Sequence, residues 1–248
     1  MTATTPAGGT LDMVNRPGPH PLTRRSIVNQ PEPANQDDAR RVVLVSAGLS
    51  QPSSTRLLGD RLAEATVAAL AEQGVRATVE TVELRDHAHA IMDAMLTGFA
   101  SGDLAHVIEQ VTHADALVLV TPLFTTTYSG LFKSFVDILD KDSLVGMPVL
   151  LGATGGTPRH SLALEYGLRP LFTYLRADVA TTTVFAATDD WAEAGGSAGT
   201  LPERVRRAGR ELARTVASRD ARPSAAAGTA APFSGTPSFE DMLGGLAG

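Results

Sequence analysis

Short apolar runs alternate along the middle of this chain with longer segments of helical periodicity, and this alternation limits the fold more than any other feature. Runs that remain apolar throughout are typical of parallel strands buried on both faces. Strands and helices that follow one another in turn predict an α/β domain built around a parallel sheet. The predicted strands are Arg41–Ser46, Ala77–Glu83, Ala116–Thr121, Pro148–Gly152 and Thr181–Ala186.

Helices are predicted over residues 54–73, 102–114, 129–140, 161–175 and 202–218. The first of them carries one apolar stripe, so it should lie on the sheet. That stripe consists of Leu58, Leu62, Ala65, Ala69 and Leu70. Five strands joined by helices favour a flavodoxin-like three-layer sandwich over the six-stranded dinucleotide fold. The sheet should be five-stranded and parallel, in the order 2-1-3-4-5, with helices on both faces.

Composition divides the chain into one domain and two extensions. Residues 39–218 form the predicted flavodoxin-like domain. Residues 1–38 and 219–248 are rich in Pro, Gly, Ser and Thr and are predicted to be flexible. Within the C-terminal tail, apolar side chains at helical spacing predict a short docking helix over residues 238–246. This helix either docks on its own domain or is offered to a partner protein, and the sequence favours neither.

The charge balance and the missing cysteines exclude several classes of function. The 21 basic and 27 acidic residues give a net charge of -6, which argues against a nucleic-acid partner. Without cysteine there is no disulfide and no thiolate metal site. No apolar run reaches the roughly 18 residues of a membrane span, and no signal peptide is evident, so we expect a cytoplasmic protein without membrane contact.

A group of acidic and histidine side chains follows the second strand. Asp86, His87, His89 and Asp93 are of the types that ligate metals, but their spacing matches no familiar metal site. We therefore predict a solvated polar loop here and no metal.

The loop after the first strand, residues 48–56, combines several phosphate-binding groups. Hydroxyls, helix-terminal N–H groups and a guanidinium all favour a phosphate, and the loop lacks the G-x-G-x-x-G turn of a pyrophosphate site. We therefore predict a site for the terminal phosphate of a mononucleotide. Its candidate residues are Ser50, Ser53, Ser54, Thr55 and Arg56. The alternative is an ordinary helix cap beside a surface arginine.

The loop after the third strand offers an apolar surface beside polar groups. Pro122 is expected to end the strand, and Leu123, Phe124 and Thr125 to frame a planar ring that lies against the Phe124 side chain. In the alternative, Phe124 belongs to the core and Ser129 caps the next helix.

The loop after the fourth strand contains two adjacent glycines. Gly155 and Gly156 carry no Cβ, so their backbone can approach a planar ligand closely, and Thr154 precedes them. Backbone N–H groups at the pyrimidine edge of a flavin would favour its reduced form, in which negative charge develops there. The alternative is a plain glycine-rich turn.

These three loops together resemble those of the NADPH-dependent FMN reductases. The matching segments are 45–57, 121–137 and 152–156, and the resemblance extends over residues 40–218. It is strongest to the actinobacterial branch thought to supply reduced flavin to luciferase-like monooxygenases. The resemblance implies a flavodoxin-like fold, FMN and NADPH or NADH as cofactors, and a homodimer or homotetramer. The chain departs from the family pattern at Phe124, Thr125 and Ser129, where tyrosine, asparagine and proline are usual.

The resemblance implies an NAD(P)H-dependent FMN reductase that transfers a hydride from nicotinamide to the flavin N5. No side chain need act as an acid or base in such a reaction, so no catalytic residue is predicted. A quinone or azo-compound reductase on the same scaffold is one alternative. A flavodoxin-type electron carrier and a flavin-binding scaffold without NADPH turnover are two more. The single tryptophan, Trp191, is expected at a subunit contact or a domain edge.

Overall fold

The parallel sheet predicted from the apolar runs is present. The structure, a computed structural model, describes residues 39–192 and 199–220. Its strands are β1 (Arg40–Ser46), β2 (Ala77–Glu83), β3 (Ala116–Phe124), β4 (Thr127–Tyr128), β5 (Pro148–Gly155), β6 (Asp178–Val179) and β7 (Val184–Ala187). The predicted β1 begins one residue later than the observed strand, and the predicted β2 has the observed bounds.

The strand order confirms the flavodoxin-like fold. β2, β1, β3 and β5 are neighbours in that order, and β7 continues the sheet from β5, all in parallel. The sheet differs from the prediction at two places. The outer edge of β5 pairs with β6 near its start and with β7 near its end. In addition, the short β4 pairs antiparallel with the end of β3.

Helices cover both faces of the sheet, as predicted for a three-layer sandwich. They are α1 (Ser54–Glu72), α2 (Ala88–Thr97), α3 (Asp103–Thr112), α4 (Gly130–Asp137), α5 (Arg169–Tyr174) and α6 (Leu201–Ala217). Along β1, Val42 and Leu44 pack into the core beneath α1 and α6, whereas Val43 and Val45 pack into the core on the opposite face. This alternation explains why the strand is apolar at successive positions.

The prediction of a polar loop after β2 is wrong, because the chain is helical there. Leu84–His87 forms a 3₁₀ turn that leads directly into α2. Ile91 and Ala94 of α2 are buried, and Gly98 ends the helix in the left-handed conformation that glycine favours. The apolar face of α2 is too short to stand out in the sequence beside the Asp and His residues around it. Among residues 39–192 and 199–220, no group of three or more acidic or histidine side chains is arranged to hold a metal ion.

The predicted helix over residues 161–175 changes its type along its length. Leu164–Leu168 is a π-helix that continues into α5. Pro170, at the start of α5, has no N–H to donate to the preceding turn, so one helical hydrogen bond is missing where the two helix types meet. The predicted strand Thr181–Ala186 starts only at Val184, because the N–H groups of Thr181 and Thr182 donate to the carboxylate of Glu211 on α6 instead of to a strand.

The predicted extensions 1–38 and 219–248 lie outside the described residues, except for Arg219 and Asp220, and so does the predicted docking helix 238–246. Within the described part, none of the helices combines the length and the apolar character needed to cross a membrane.

Candidate active site

A cleft lies at the carboxyl ends of the parallel strands, where ligands bind in open α/β sheets. Its volume is about 530 Å³, which is within the range of small-molecule sites. The cleft is lined by Leu49, Ser50, Ser54, Thr55, Pro122, Leu123, Phe124, Thr154, Gly155, Gly156, Ala186, Thr188 and Trp191. Nine of the twelve predicted site residues are in this lining; Ser53, Arg56 and Thr125 are not.

The first loop presents the N-terminus of α1 to the cleft. Ser53 is the cap of α1, and its side-chain oxygen accepts a hydrogen bond of 3.2 Å from the N–H of Arg56. The first N–H groups of an α-helix have no carbonyl partner within the helix, so those of Ser54 and Thr55 are left for a ligand. Together with the positive end of the helix dipole, these N–H groups could bind an anion.

A buried hydrogen bond joins the first loop to the third. The hydroxyl oxygens of Thr55 and Thr154 are 2.8 Å apart, and both residues are buried. Because Thr55 is in the first turn of α1 and Thr154 is near the end of β5, this bond fixes the helix N-terminus against the glycine pair. The two loops therefore form one continuous wall of the cleft.

The guanidinium of Arg56 is engaged in a charge network. It pairs with Asp60 at 2.7 Å and with Glu83, the last residue of β2, at 2.9 Å. The hydrogen bond to Asp60 raises the pKa of Arg56 above its ordinary value; burial lowers it, and the charges of Asp60 and Glu83 raise it further. Arg85 pairs with the same Glu83 and donates to the carbonyl of Ser50 at 3.1 Å. In this structure Arg56 thus holds the loop in place and does not reach the cleft.

The second loop continues the strand past Pro122. The pair Pro122–Thr154 is the last between β3 and β5, so the proline ends the parallel pairing without ending the extended backbone. The chain then forms a tight hairpin with β4, and Thr125 and Thr126 adopt positive φ angles of 49° and 75° at its turn. Thr125 is consequently at the tip of the hairpin and outside the cleft lining.

Phe124 lies at the cleft and not in the core. It is 48% exposed, which contradicts the alternative in which its ring is buried. The other half of that alternative is correct, since Ser129 caps α4 by accepting a hydrogen bond of 3.2 Å from the N–H of Phe132.

The third loop brings bare backbone to the cleft. A Cβ on Gly155 would lie 2.9 Å from the Phe185 ring, so a larger residue there would require this ring to move. A Cβ on Gly156 would meet nothing within 4 Å, which means that this backbone borders open space. A planar ligand can therefore approach the peptide groups directly, as the adjacent glycines predicted.

Four lining residues were not predicted from the sequence. Ala186, Thr188 and Trp191 all belong to the end of β7 or the turn that follows it, and Leu49 belongs to the first loop. The strand-end rule, applied also to the fifth predicted strand, would have identified Thr188 and drawn attention to Trp191.

The donor set of the cleft fits FMN. Its lining offers helix N–H groups and hydroxyls for a phosphate, and the Phe124 ring and the Gly156 backbone for a flat heterocycle. None of the described residues that line the cleft carries a charge, so a bound phosphate would be held by neutral donors and the helix dipole.

The protein is flavodoxin-like in fold, and the groups that line its cleft fit a mononucleotide. The family model for NADPH-dependent FMN reductase matches residues 40–192, which include every residue of the cleft lining. The chain belongs to this family.

Curated relatives and solved structures agree with this assignment. An FMN reductase (NADPH) of Pseudomonas aeruginosa is 35% identical over 61% of this chain and 78% of the relative. The NADH-dependent FMN reductase SfnE of Pseudomonas putida is 36% identical over 66% of this chain and 86% of the relative. The solved structure of an oxidoreductase from Corynebacterium diphtheriae is 43% identical and covers 74% of this chain and all of that chain, with a TM-score of 0.70.

Proposed function

We propose that this protein reduces FMN with NAD(P)H in the cleft and releases the reduced flavin to a luciferase-like monooxygenase. The observation that carries the proposal is the pairing, in one cleft, of a helix N-terminus with an exposed aromatic ring and bare glycine backbone. These groups match the two chemically different ends of FMN. The names of the curated relatives support both NADPH and NADH as electron donors.

The contribution of the protein is to position FMN in the cleft. Ser54, Thr55 and the N-terminus of α1 bind the phosphate, Ser50 adds a hydroxyl beside them, and the Thr55–Thr154 hydrogen bond keeps this end in register with the glycine pair. Ser53 caps the helix, and Arg56 orders the loop through Asp60 and Glu83.

The other end of the cleft receives the ring. Pro122, Leu123 and Phe124 flank it on one side, and the backbone of Gly155 and Gly156 supports its pyrimidine edge. Bound FMN would supply the redox chemistry, accepting a hydride from the nicotinamide at N5. None of the described lining side chains titrates near neutral pH, so their part is to orient the ring and exclude water from one face of it.

Steady-state oxidation of the nicotinamide tests this function. When NADPH or NADH is mixed with the purified protein, the nicotinamide absorbance should fall only after FMN is added. A quinone added in place of FMN should cause no such loss. No oxidation with either nucleotide would contradict the reductase and leave an electron carrier. Turnover with quinone alone would favour the quinone reductase.

Weak retention of FMN is a second expectation. The described residues of the cleft lining supply only neutral donors, so a bound phosphate forms no ion pair with a guanidinium or ammonium group of that lining. We therefore expect a dissociation constant of about 1 μM or weaker, and gel filtration should separate most of the flavin from the protein. Stoichiometric co-elution of FMN would instead indicate a resident cofactor and argue against release to a monooxygenase.

We also propose a homo-oligomer. Apolar side chains are exposed along one stretch of α2 and just beyond it, with Leu96 80% and Phe99 56% exposed, and Met92 and Met95 nearby. Exposed apolar clusters of this kind typically mark protein contacts. A monomeric mass in light scattering would contradict this assembly.

A further inference from the structure

Trp191 lies in a place that the sequence did not indicate. It belongs to the short 3₁₀ helix Thr188–Ala192 that follows β7, and it lines the cleft. It is also the single tryptophan of the chain. Its indole is only partly exposed and packs against the core beneath α1 and α6, so its position is defined by neighbours on more than one side.

Arg61 of α1 holds the indole from one side. The guanidinium carbon of Arg61 lies 5.1 Å from the centroid of the Trp191 ring, which is the geometry of a cation–π contact. Arg61 is about two helical turns beyond the start of α1, the end that presents N–H groups to the cleft. Trp191 thus contacts the same helix that forms the predicted phosphate site.

The backbone before Trp191 is anchored to the sheet and to α6. The carboxylate of Asp190 accepts a hydrogen bond of 2.8 Å from the N–H of Ala187 and pairs with Arg204. Arg204 in turn donates to the carbonyl of Phe185 at 2.5 Å. These contacts fix the turn directly after β7, whose residues Ala186 and Ala187 pair with Thr154 and Gly155.

We propose that Trp191 is a flavin-contacting residue, whose indole forms the wall of the cleft between α1 and β7 against bound FMN. Arg61 and the Asp190–Arg204 pair are positioning residues that act through it. This inference rests on the proposed function. Because no charged side chain of the described lining contributes affinity, contact with a large aromatic surface accounts for a substantial share of flavin binding.

Intrinsic fluorescence tests the contact directly, because all tryptophan emission of the full chain comes from Trp191. Titration with FMN should quench most of this emission, and it should saturate with the same dissociation constant as the change in flavin fluorescence. A solution of N-acetyltryptophanamide titrated in parallel corrects for light absorbed by FMN.

Variants then test the contribution to affinity. Trp191→Ala should weaken FMN binding about tenfold, Trp191→Phe should stay within about threefold of the wild type, and Arg61→Ala should lie between them. Tyr174→Ala is the matched control, since this aromatic residue is 76% exposed and is not in the cleft lining, and it should bind FMN as the wild type does. Thermal unfolding of each variant identifies any loss of the fold.

The outcomes separate this inference from the proposed function. FMN binding without quenching of Trp191, or wild-type affinity in a folded Trp191→Ala, would overturn the inference and leave the reductase intact. Absence of both FMN binding and nicotinamide oxidation would overturn the proposed function and the inference with it. If Trp191→Ala does not fold, the wild-type titration and Trp191→Phe decide the question.

Discussion

Replacing Gly48 with valine is expected to weaken FMN binding at least about a hundredfold, or roughly 2.7 kcal/mol. A Cβ at this position would lie 2.1 Å from the hydroxyl oxygen of Ser53 and about 3 Å from the Cβ atoms of Ser53 and Thr55. The Ser53 hydroxyl can rotate away only by giving up its hydrogen bond to the N-terminus of α1. The remaining contacts, at 3.1 and 3.2 Å, are tighter than ordinary ones, so we expect the loop that carries the N–H groups proposed to bind phosphate to shift.

Flavin fluorescence titration measures this effect, and two variants provide controls. Gly130→Val changes a glycine at the start of α4 whose added Cβ would meet nothing within 4 Å, so FMN affinity should be unchanged. Ser53→Ala removes the cap without a clash and should cost about 1 kcal/mol of stability. Wild-type affinity in Gly48→Val would show that the first loop does not bind the phosphate.

Replacing Gly209 with valine is expected to lower the free energy of unfolding by about 3 kcal/mol. Gly209 is buried in α6 where that helix crosses α1. An added Cβ would lie 2.7 Å from the carbonyl carbon of Ala65 and 2.9 Å from the N atom of Thr66. Backbone atoms cannot rotate aside, so the two helices must separate. The small gain in helix propensity of valine over glycine, a few tenths of a kcal/mol, does not compensate for this.

Urea denaturation measures the difference through a shift of the midpoint at constant slope. The control is Arg210→Val, the same new side chain on the neighbouring exposed position, which should change stability by less than about 1 kcal/mol. If Gly209→Val unfolded at the wild-type midpoint, the close approach of α1 and α6 would not be a constraint on the fold.

The centre of the sheet could be predicted because β1, β3 and β5 are buried over most of their length. β1 and β3 each contain an uninterrupted apolar stretch, residues 42–45 and 116–120, and such stretches favour a parallel sheet between helices. The missed helix α2 shows the limit of this reasoning. It buries only Ile91 and Ala94, so its apolar face is too narrow to stand out among acidic, histidine and methionine residues.

Within the candidate site, residue type predicted which loops meet but not where each side chain points. Arg56 is the clearest case. A guanidinium beside a phosphate loop is the expected partner for an anion, yet it pairs with Glu83, which comes from a strand that only the tertiary fold brings next to α1. For Trp191, the place after the fifth predicted strand is visible in the sequence, but the contact with Arg61 is not, because it joins segments far apart in the chain.

The hairpin after β3 is a segment in which substitutions could be tolerated during evolution. Phe124 and its neighbours lie on a protruding turn beyond the last pair of β3 with β5, and none of the residues 124–127 is buried. Substitutions there would alter the surface proposed to meet the ring while leaving the core packing untouched. We therefore expect that substitutions in this hairpin can change the acceptor preference without loss of stability. Related reductases are expected to differ there.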